Sequence, residues 1–100
     1  MTVRVYLAAS ADDLARLAAG EALGNEQWVA ATADEEDELA ALEEAAEAGP
    51  VAVAADVAEA DDPVALDQVA SFHLALDESG HLQWFAATEI DTVRGLLVGA

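Results

Sequence analysis

The spacing of apolar residues predicts five β-strands. In 2-TVRVYLAA-9, Val3, Val5 and Leu7 alternate with Arg4 and Tyr6, a period of two that is typical of a strand with one buried face. The other four predicted strands are short and rich in β-favouring or small apolar residues: 27-QWVAA-31, 51-VAVAA-55, 68-QVASFHLAL-76 and 81-HLQWFAA-87. Because only the turn 77-DESG-80 separates the last two, we expect them to form an antiparallel hairpin.

Three segments that follow strands repeat apolar residues at helical spacing. They begin in three similar phrases, 6-YLAASADD-13, 28-WVAATADE-35 and 84-WFAATEID-91. Each phrase reads as the end of a strand, a corner of small residues and a hydroxyl residue that caps a helix, with an acid three residues later as in a capping box. The predicted caps are Ser10, Thr32 and Thr88, and the acids are Asp13, Glu35 and Asp91. In the second helix, the predicted buried stripe is Leu39, Leu42, Ala45 and Ala46.

The element order over residues 1–100 is strand, helix, strand, helix, strand, strand, strand, helix, which predicts a single α/β domain. Strands that alternate with helices in the first half favour right-handed crossovers and parallel pairing, whereas the hairpin adds an antiparallel pair. We therefore expect a compact α/β sandwich with a mixed, partly parallel five-stranded sheet.

The charge balance changes the functional picture more than any motif. The chain carries 21 acidic residues against three arginines and no lysine, a net charge of −18. Such a surface repels phosphate backbones and anionic membranes, so we expect no direct nucleic-acid or membrane partner. The absence of cysteine excludes disulfides, thiolate catalysis and cysteine-ligated metals. No signal-like start or membrane-spanning run is present, which makes a cytoplasmic protein the expectation.

Three explanations of the acidity stay open: a salt-adapted or lysine-poor composition, a surface for a basic protein, and divalent-ion binding. The second helix carries acids on the side away from Leu39 and Leu42, with no compensating base. Such a run of acids is usually a solvated face. The alternative is a surface that binds a basic partner protein. In one form of this alternative, the acids would mimic DNA phosphates and inhibit a DNA-binding protein. The predicted partner-binding residues are Glu36, Asp37, Glu43, Glu44 and Glu47.

The strand ends offer a second candidate site. If the first, second and fifth strands run in one direction, their carboxyl ends meet at one edge, where open α/β sheets commonly bind ligands. The metal or small-ligand candidates there are Asp56, Glu59 and Asp91, although their spacing does not fix the several oxygen ligands that a hard cation needs. Capping of helices is the more ordinary role of such acids.

No residue pattern points to catalysis. His73 and His81 are the two imidazoles, and Ser10, Ser71 and Ser79 lack a nucleophile motif. The sequence therefore favours a non-enzymatic protein and indicates no cofactor. The arginines have structural roles available: Arg16 and Arg94 follow acids at helical spacing, and we expect Arg4 to pair across the sheet.

Four stretches of the chain resemble, in order, a family of small actinobacterial proteins known only as a domain of unknown function. They are 3-VRVYLAASADDLARLAAGE-21, 35-EEDELAALEEAAEAG-49, 51-VAVAADV-57 and 81-HLQWFAATEI-90. This chain is shorter than the family pattern, lacks basic residues ahead of the third stretch and has an abbreviated second helix region. The resemblance implies one common fold and transfers no activity. From the acidity of the chain itself, we expect a non-enzymatic domain that acts through contact with a basic protein.

Overall fold

The described residues form one five-stranded sheet and three α-helices. The computed structural model describes residues 2–30, 32, 34–75 and 82–98, so the predicted turn 77–80 and His81 lie outside the described residues. None of the described helices has both the length and the apolar character needed to cross a membrane. The elements are β1 (Val3–Ala9), α1 (Ala11–Ala18), β2 (Gln27–Trp28), α2 (Glu35–Ala48), β3 (Val51–Val57), β4 (Val69–Ala75), β5 (Leu82–Ala86) and α3 (Ile90–Val98), with 3₁₀ turns at Leu66–Gln68 and Ala87–Glu89.

All neighbouring strands are antiparallel, in the order β2-β1-β3-β4-β5. The predicted hairpin of β4 and β5 is confirmed, but the expectation of a mixed, partly parallel sheet is wrong. The length of α1 gives the reason. Its 8 residues span about 12 Å, whereas the 7 residues of β1 span about 23 Å, so α1 does not return the chain to the start of β1. Gln27 instead pairs with Leu7 near the end of β1, and β2 runs back along it.

Large aliphatic side chains cover one side of the sheet, which we call the aliphatic face. Val5, Leu7, Val53 and Phe72 point to this side and are fully buried. They pack against Leu14 and Leu17 of α1 and against Ile90 and Val93 of α3, and α1 and α3 also contact each other. This face therefore holds the main core of the domain.

The opposite side, which we call the alanine face, carries α2. Ala41 and Ala45 of α2 are buried against Tyr6, Ala52 and Ala54 of the sheet. These small side chains let the helix lie close to β1 and β3, and a Cβ added at Gly49 would lie only 3.0 Å from the Cβ of Ala8. The buried side of α2 is therefore rotated away from the predicted stripe of Leu39, Leu42, Ala45 and Ala46, because Ala41 and Ala45 face the sheet.

Only the first of the three predicted helix caps is confirmed. The Ser10 Oγ accepts from the Asp13 N–H at 3.2 Å, and the Asp13 carboxylate accepts from the Ser10 N–H at 3.0 Å. In the second phrase, the cap is Asp34 and Glu35 is the first helical residue. Thr32 accepts from the Asp34 N–H at 3.1 Å, which forms a turn before the helix.

The third phrase forms a 3₁₀ turn, Ala87–Glu89, before α3 begins. Glu89 accepts from the backbone N–H of Ala86 at 2.9 Å. The predicted roles of Thr88 and Asp91 in a capping box are therefore wrong. Because the 3₁₀ turn comes before α3, the acid that accepts from the backbone is Glu89, two residues before the predicted Asp91.

Candidate functional site

A groove of about 430 Å³ lies on the alanine face beside α2, and we call it the α2–β5 groove. It exists because α2 packs on β1, β2 and β3 and leaves β4 and β5 beside it. The volume is in the range of ligand-binding clefts. The lining residues come from β1, α2, β3, β4 and β5: Arg4, Tyr6, Glu35, Glu38, Leu39, Leu42, Ala54, Ser71, His73 and Trp84.

Arg4, at one end of the groove, forms a two-bond ion pair with Asp56. The two residues are register partners on β1 and β3, with Nε at 2.7 Å from Oδ1 and Nη2 at 3.1 Å from Oδ2. This confirms the predicted pair across the sheet. The hydrogen bond to Asp56 raises the pKa of Arg4. Because the side chains are 43% and 40% exposed, the pair contributes at most about 1 kcal/mol to stability, but it compensates the arginine's charge.

Tyr6 lies on the groove floor next to a carboxylate of α2. Burial and, second, the negative charge of Glu38 raise the pKa of the Tyr6 phenol, which stays neutral. No ion pair within the described part of the chain involves Glu35 or Glu38. The α2 wall of the groove is therefore negatively charged beside a neutral hydroxyl group.

Ser71 and His73 share the floor, because residues two apart on β4 point to the same face. Their Oγ and Nε2 atoms are 2.7 Å apart. Burial and then the positive charge of Arg4 lower the pKa of His73, which favours the neutral imidazole. The pair therefore satisfies two polar groups of the sheet face.

Two large apolar side chains form the rims of the groove. Trp84 on β5 is 62% exposed and Leu39 on α2 is 51% exposed, although both are residue types that normally contribute to cores. Exposed tryptophan next to a concave surface is a common feature of protein-binding sites. The groove thus combines apolar rims, a neutral polar floor and a negatively charged helical wall.

The predicted partner-binding acids lie on α2 as expected from its sequence. Four of them are exposed: Glu36, Glu43, Glu44 and Glu47. Asp37 differs, because it is half-buried and its Oδ2 lies 2.5 Å from the Thr32 hydroxyl, which donates to it. Asp37 therefore has a local structural contact, while the other four are available to solvent.

The three predicted metal candidates have separate surroundings. Asp56 is held by Arg4, and Asp91 lies 3.6 Å from Arg94. Glu59 instead belongs to an acidic turn with Asp61 and Asp62, the trio of described residues whose potential ligand atoms lie within 4.8 Å of one another. Asp62 already accepts from the Glu59 N–H at 3.0 Å. Since β1 runs opposite to β2, β3 and β5, the predicted meeting of the carboxyl ends of β1, β2 and β5 does not form, although β3 and β5, which lead to these three acids, run in the same direction.

The sequence did not indicate four residues that line the groove: Leu39, Trp84, Tyr6 and Glu38. One signal for Trp84 was present, because adjacent Trp84 and Phe85 must point to opposite faces of a strand. What the sequence did not indicate was that α2 leaves the face next to Trp84 uncovered. Which part of the sheet face is uncovered depends on the side on which each helix packs. The apolar spacing within a single strand carries no information about that packing.

The fold and the groove together define a small α/β domain with helices on both faces of an antiparallel sheet. No model of a known protein family matches the chain, and neither a curated protein nor a solved structure does. The resemblance to the small actinobacterial family therefore stays a prediction.

Proposed function

We propose that this chain is a non-enzymatic protein-interaction domain that binds a basic partner protein at the α2–β5 groove and the adjoining acidic face of α2. The observation that carries the proposal is the exposure of Trp84 and Leu39 on the two rims of one groove. Burying a large aromatic side chain at a binding surface is among the largest single contributions to affinity. These two side chains supply the apolar contacts of the interface.

The charge of the surroundings selects the partner. Glu35 and Glu38 line the groove, and Glu43, Glu44 and Glu47 extend the negative charge along α2. Complementary charge speeds association and rejects wrong partners, so a partner with arginine or lysine around an apolar centre fits this surface. An inhibitor that mimics DNA would be a special case, with a DNA-binding protein as the partner. The alternative metal site at Asp56, Glu59 and Asp91 stays a prediction.

The test uses Trp84 as its own reporter. In a Trp28→Phe variant, Trp84 is the remaining tryptophan, so its fluorescence reports on the groove. The probe is a peptide of leucine and arginine in equal numbers. Binding should shift the emission to shorter wavelengths as the indole leaves water, and the affinity should fall steeply with NaCl because the charges are screened.

A matched pair of variants separates a localised site from bulk charge. The first replaces Glu43, Glu44 and Glu47 by Gln, and the second replaces the exposed acids Asp12, Glu26 and Asp67 by their amides. Both remove the same charge. We expect the first to weaken peptide binding about tenfold more than the second. Equal losses, or no emission shift at all, would contradict a binding surface at α2 and the groove.

A further inference from the structure

We propose that the segment of the partner that fills the α2–β5 groove is an amphipathic α-helix with a basic face, which lies beside α2 over β4 and β5. This inference rests on the proposed function and states the shape of its ligand. It follows from which part of the sheet the described helices leave uncovered.

The open area of the alanine face has the width of one helix. α2 packs on β1, β2 and β3, while α1 and the apolar side of α3 belong to the aliphatic face, so no described helix lies over β4 and β5 on the alanine face. Neighbouring strands are about 4.8 Å apart, so two strands present a width of about 10 Å. An α-helix with its side chains is about 10–12 Å across, and helices packed side by side have similar axis distances.

The lining of the groove suits a helix with one apolar stripe. Apolar side chains lie on both sides of the groove, with Leu39 and Leu42 on α2 beside Glu35 and Glu38, and Trp84 on β5. Ser71 and His73 lie on the floor between them. A docked helix would place apolar residues at three- and four-residue spacing against these walls. A docked helix would then cover the partially buried Leu42 and the exposed Leu39, since the main described contacts of α2 are with β1, β2 and β3.

Charge decides between a foreign helix and a second copy of this chain. Glu35 and Glu38 project into the groove without an arginine partner in the described part of the chain. A second copy would bring another chain of net charge −18 to this negatively charged wall, which is repulsive. A helix with arginine or lysine on the side that meets α2 would place opposite charges together.

The face of the sheet is more open than its edge. β5 is an edge strand of 5 residues, and an extended peptide could in principle add to it. However, the N–H of Ala86, at the end of β5, already donates to the carboxylate of Glu89. Strand addition would lack that hydrogen bond, whereas a helix on the face requires no backbone groups from β5.

Two peptides of identical composition distinguish these binding modes. Each contains leucine and arginine in equal numbers over about 14 residues, one with leucines at helical spacing and one with strict alternation, which favours a strand. Affinities are measured by fluorescence anisotropy of labelled peptide, and peptide helicity by circular dichroism. The proteins are the native chain, Trp84→Ala and, as the matched control, Val29→Ala, which changes an exposed apolar residue beyond β2 at the other edge of the sheet.

We expect the helical-spacing peptide to bind about tenfold more tightly than the alternating one and to gain helicity when bound. Trp84→Ala should weaken its binding about tenfold, and Val29→Ala should leave it unchanged. Tighter binding of the alternating peptide, still dependent on Trp84, would overturn the helical ligand and leave the proposed function intact. If neither peptide's binding depends on Trp84, both the helical ligand and the proposed groove are wrong.

Discussion

His73 is a histidine whose surroundings favour the neutral imidazole. It shares a short hydrogen bond with Ser71, and the charged or titratable groups that line the same groove are Arg4, Tyr6, Glu35 and Glu38. Burial is the larger cause of its lowered pKa and the positive charge of Arg4 is the second. In the unfolded chain, a histidine returns to a pKa of about 6.5. The folded and unfolded states therefore bind different numbers of protons in mildly acidic solution.

This difference predicts how His73 affects stability as the pH changes. As the pH falls from about 6.5 through the lowered folded pKa, the unfolded chain takes up a proton that the folded chain rejects, so the free energy of unfolding decreases. His73→Gln removes this contribution. Urea unfolding at about pH 7.5 and about pH 5.5 should show a larger loss on acidification for the native chain than for His73→Gln. Other titrating groups are common to both proteins, so equal losses would contradict a half-buried His73 imidazole that stays neutral in the folded state.

At the scale of residues, local spacing predicted some contacts and missed others for identifiable reasons. Arg4 had no acid within helical or turn distance, so pairing across the sheet was predictable, and Asp56 is its register partner. Leu39 was predicted to be buried because it lies at helical spacing with Leu42, Ala45 and Ala46. The sheet residues beneath α2 include the small Ala52 and Ala54, and the closest approach puts Ala41 and Ala45 inward. The identity of a facing surface cannot be read from the helix alone.

At the scale of elements, α2 has acidic residues at both ends, and the two ends are not equivalent. A helix has a positive N-terminus and a negative C-terminus, so the acids of its first turn are favourable and Glu47 near its end is not. The last turn contains no basic residue. The helix thus keeps an unfavourable charge at a position where lysine or arginine would be stabilising.

We predict that Glu47→Lys raises the free energy of unfolding by about 0.5–1 kcal/mol, measured by urea unfolding at fixed salt. The new cation would interact favourably with the helix C-terminus and with Glu43 one turn earlier. Glu36→Lys is the matched control, since it makes the same charge change in the first turn, where it should be less favourable or destabilising. An equal gain from both variants would show that total charge, not the position along α2, decides the effect. If the acidic face binds a basic partner, Glu47→Lys should also weaken that binding.

The number and order of the elements could be predicted from apolar periodicity, whereas strand direction could not. Each strand of this chain looks the same whether its neighbour is parallel or antiparallel. The direction of β2 depends on where the connection after β1 returns to the sheet. The short helix α1 and the irregular segment 19–26 bring Gln27 beside Leu7, near the end of β1. The hairpin of β4 and β5 was predictable because a short connection permits only antiparallel pairing.

Every arginine of the chain lies near one or more of the chain's own acids. Arg4 pairs with Asp56, and Arg94 lies near Asp91. Arg16 lies 3.9 Å from Asp13 and 3.8 Å from Glu21. The other acids therefore have no arginine within ion-pair distance in the described part of the chain. Folding brings these like charges together, so the uncompensated charge opposes the compact state and at the same time attracts cations.

Salt should therefore move stability and partner binding in opposite directions. Raising NaCl from about 0.05 M to about 1 M shortens the screening length to about 3 Å, so we expect a higher free energy of unfolding and a lower affinity for the leucine–arginine peptide. Urea unfolding and peptide anisotropy over one salt series measure both. Sucrose is the control, since it favours burial of surface without screening charge and should raise stability without lowering the affinity. If the acidity were only a salt-adapted composition, stability would rise with salt, but the peptide would show no binding that depends on Trp84 at any salt concentration.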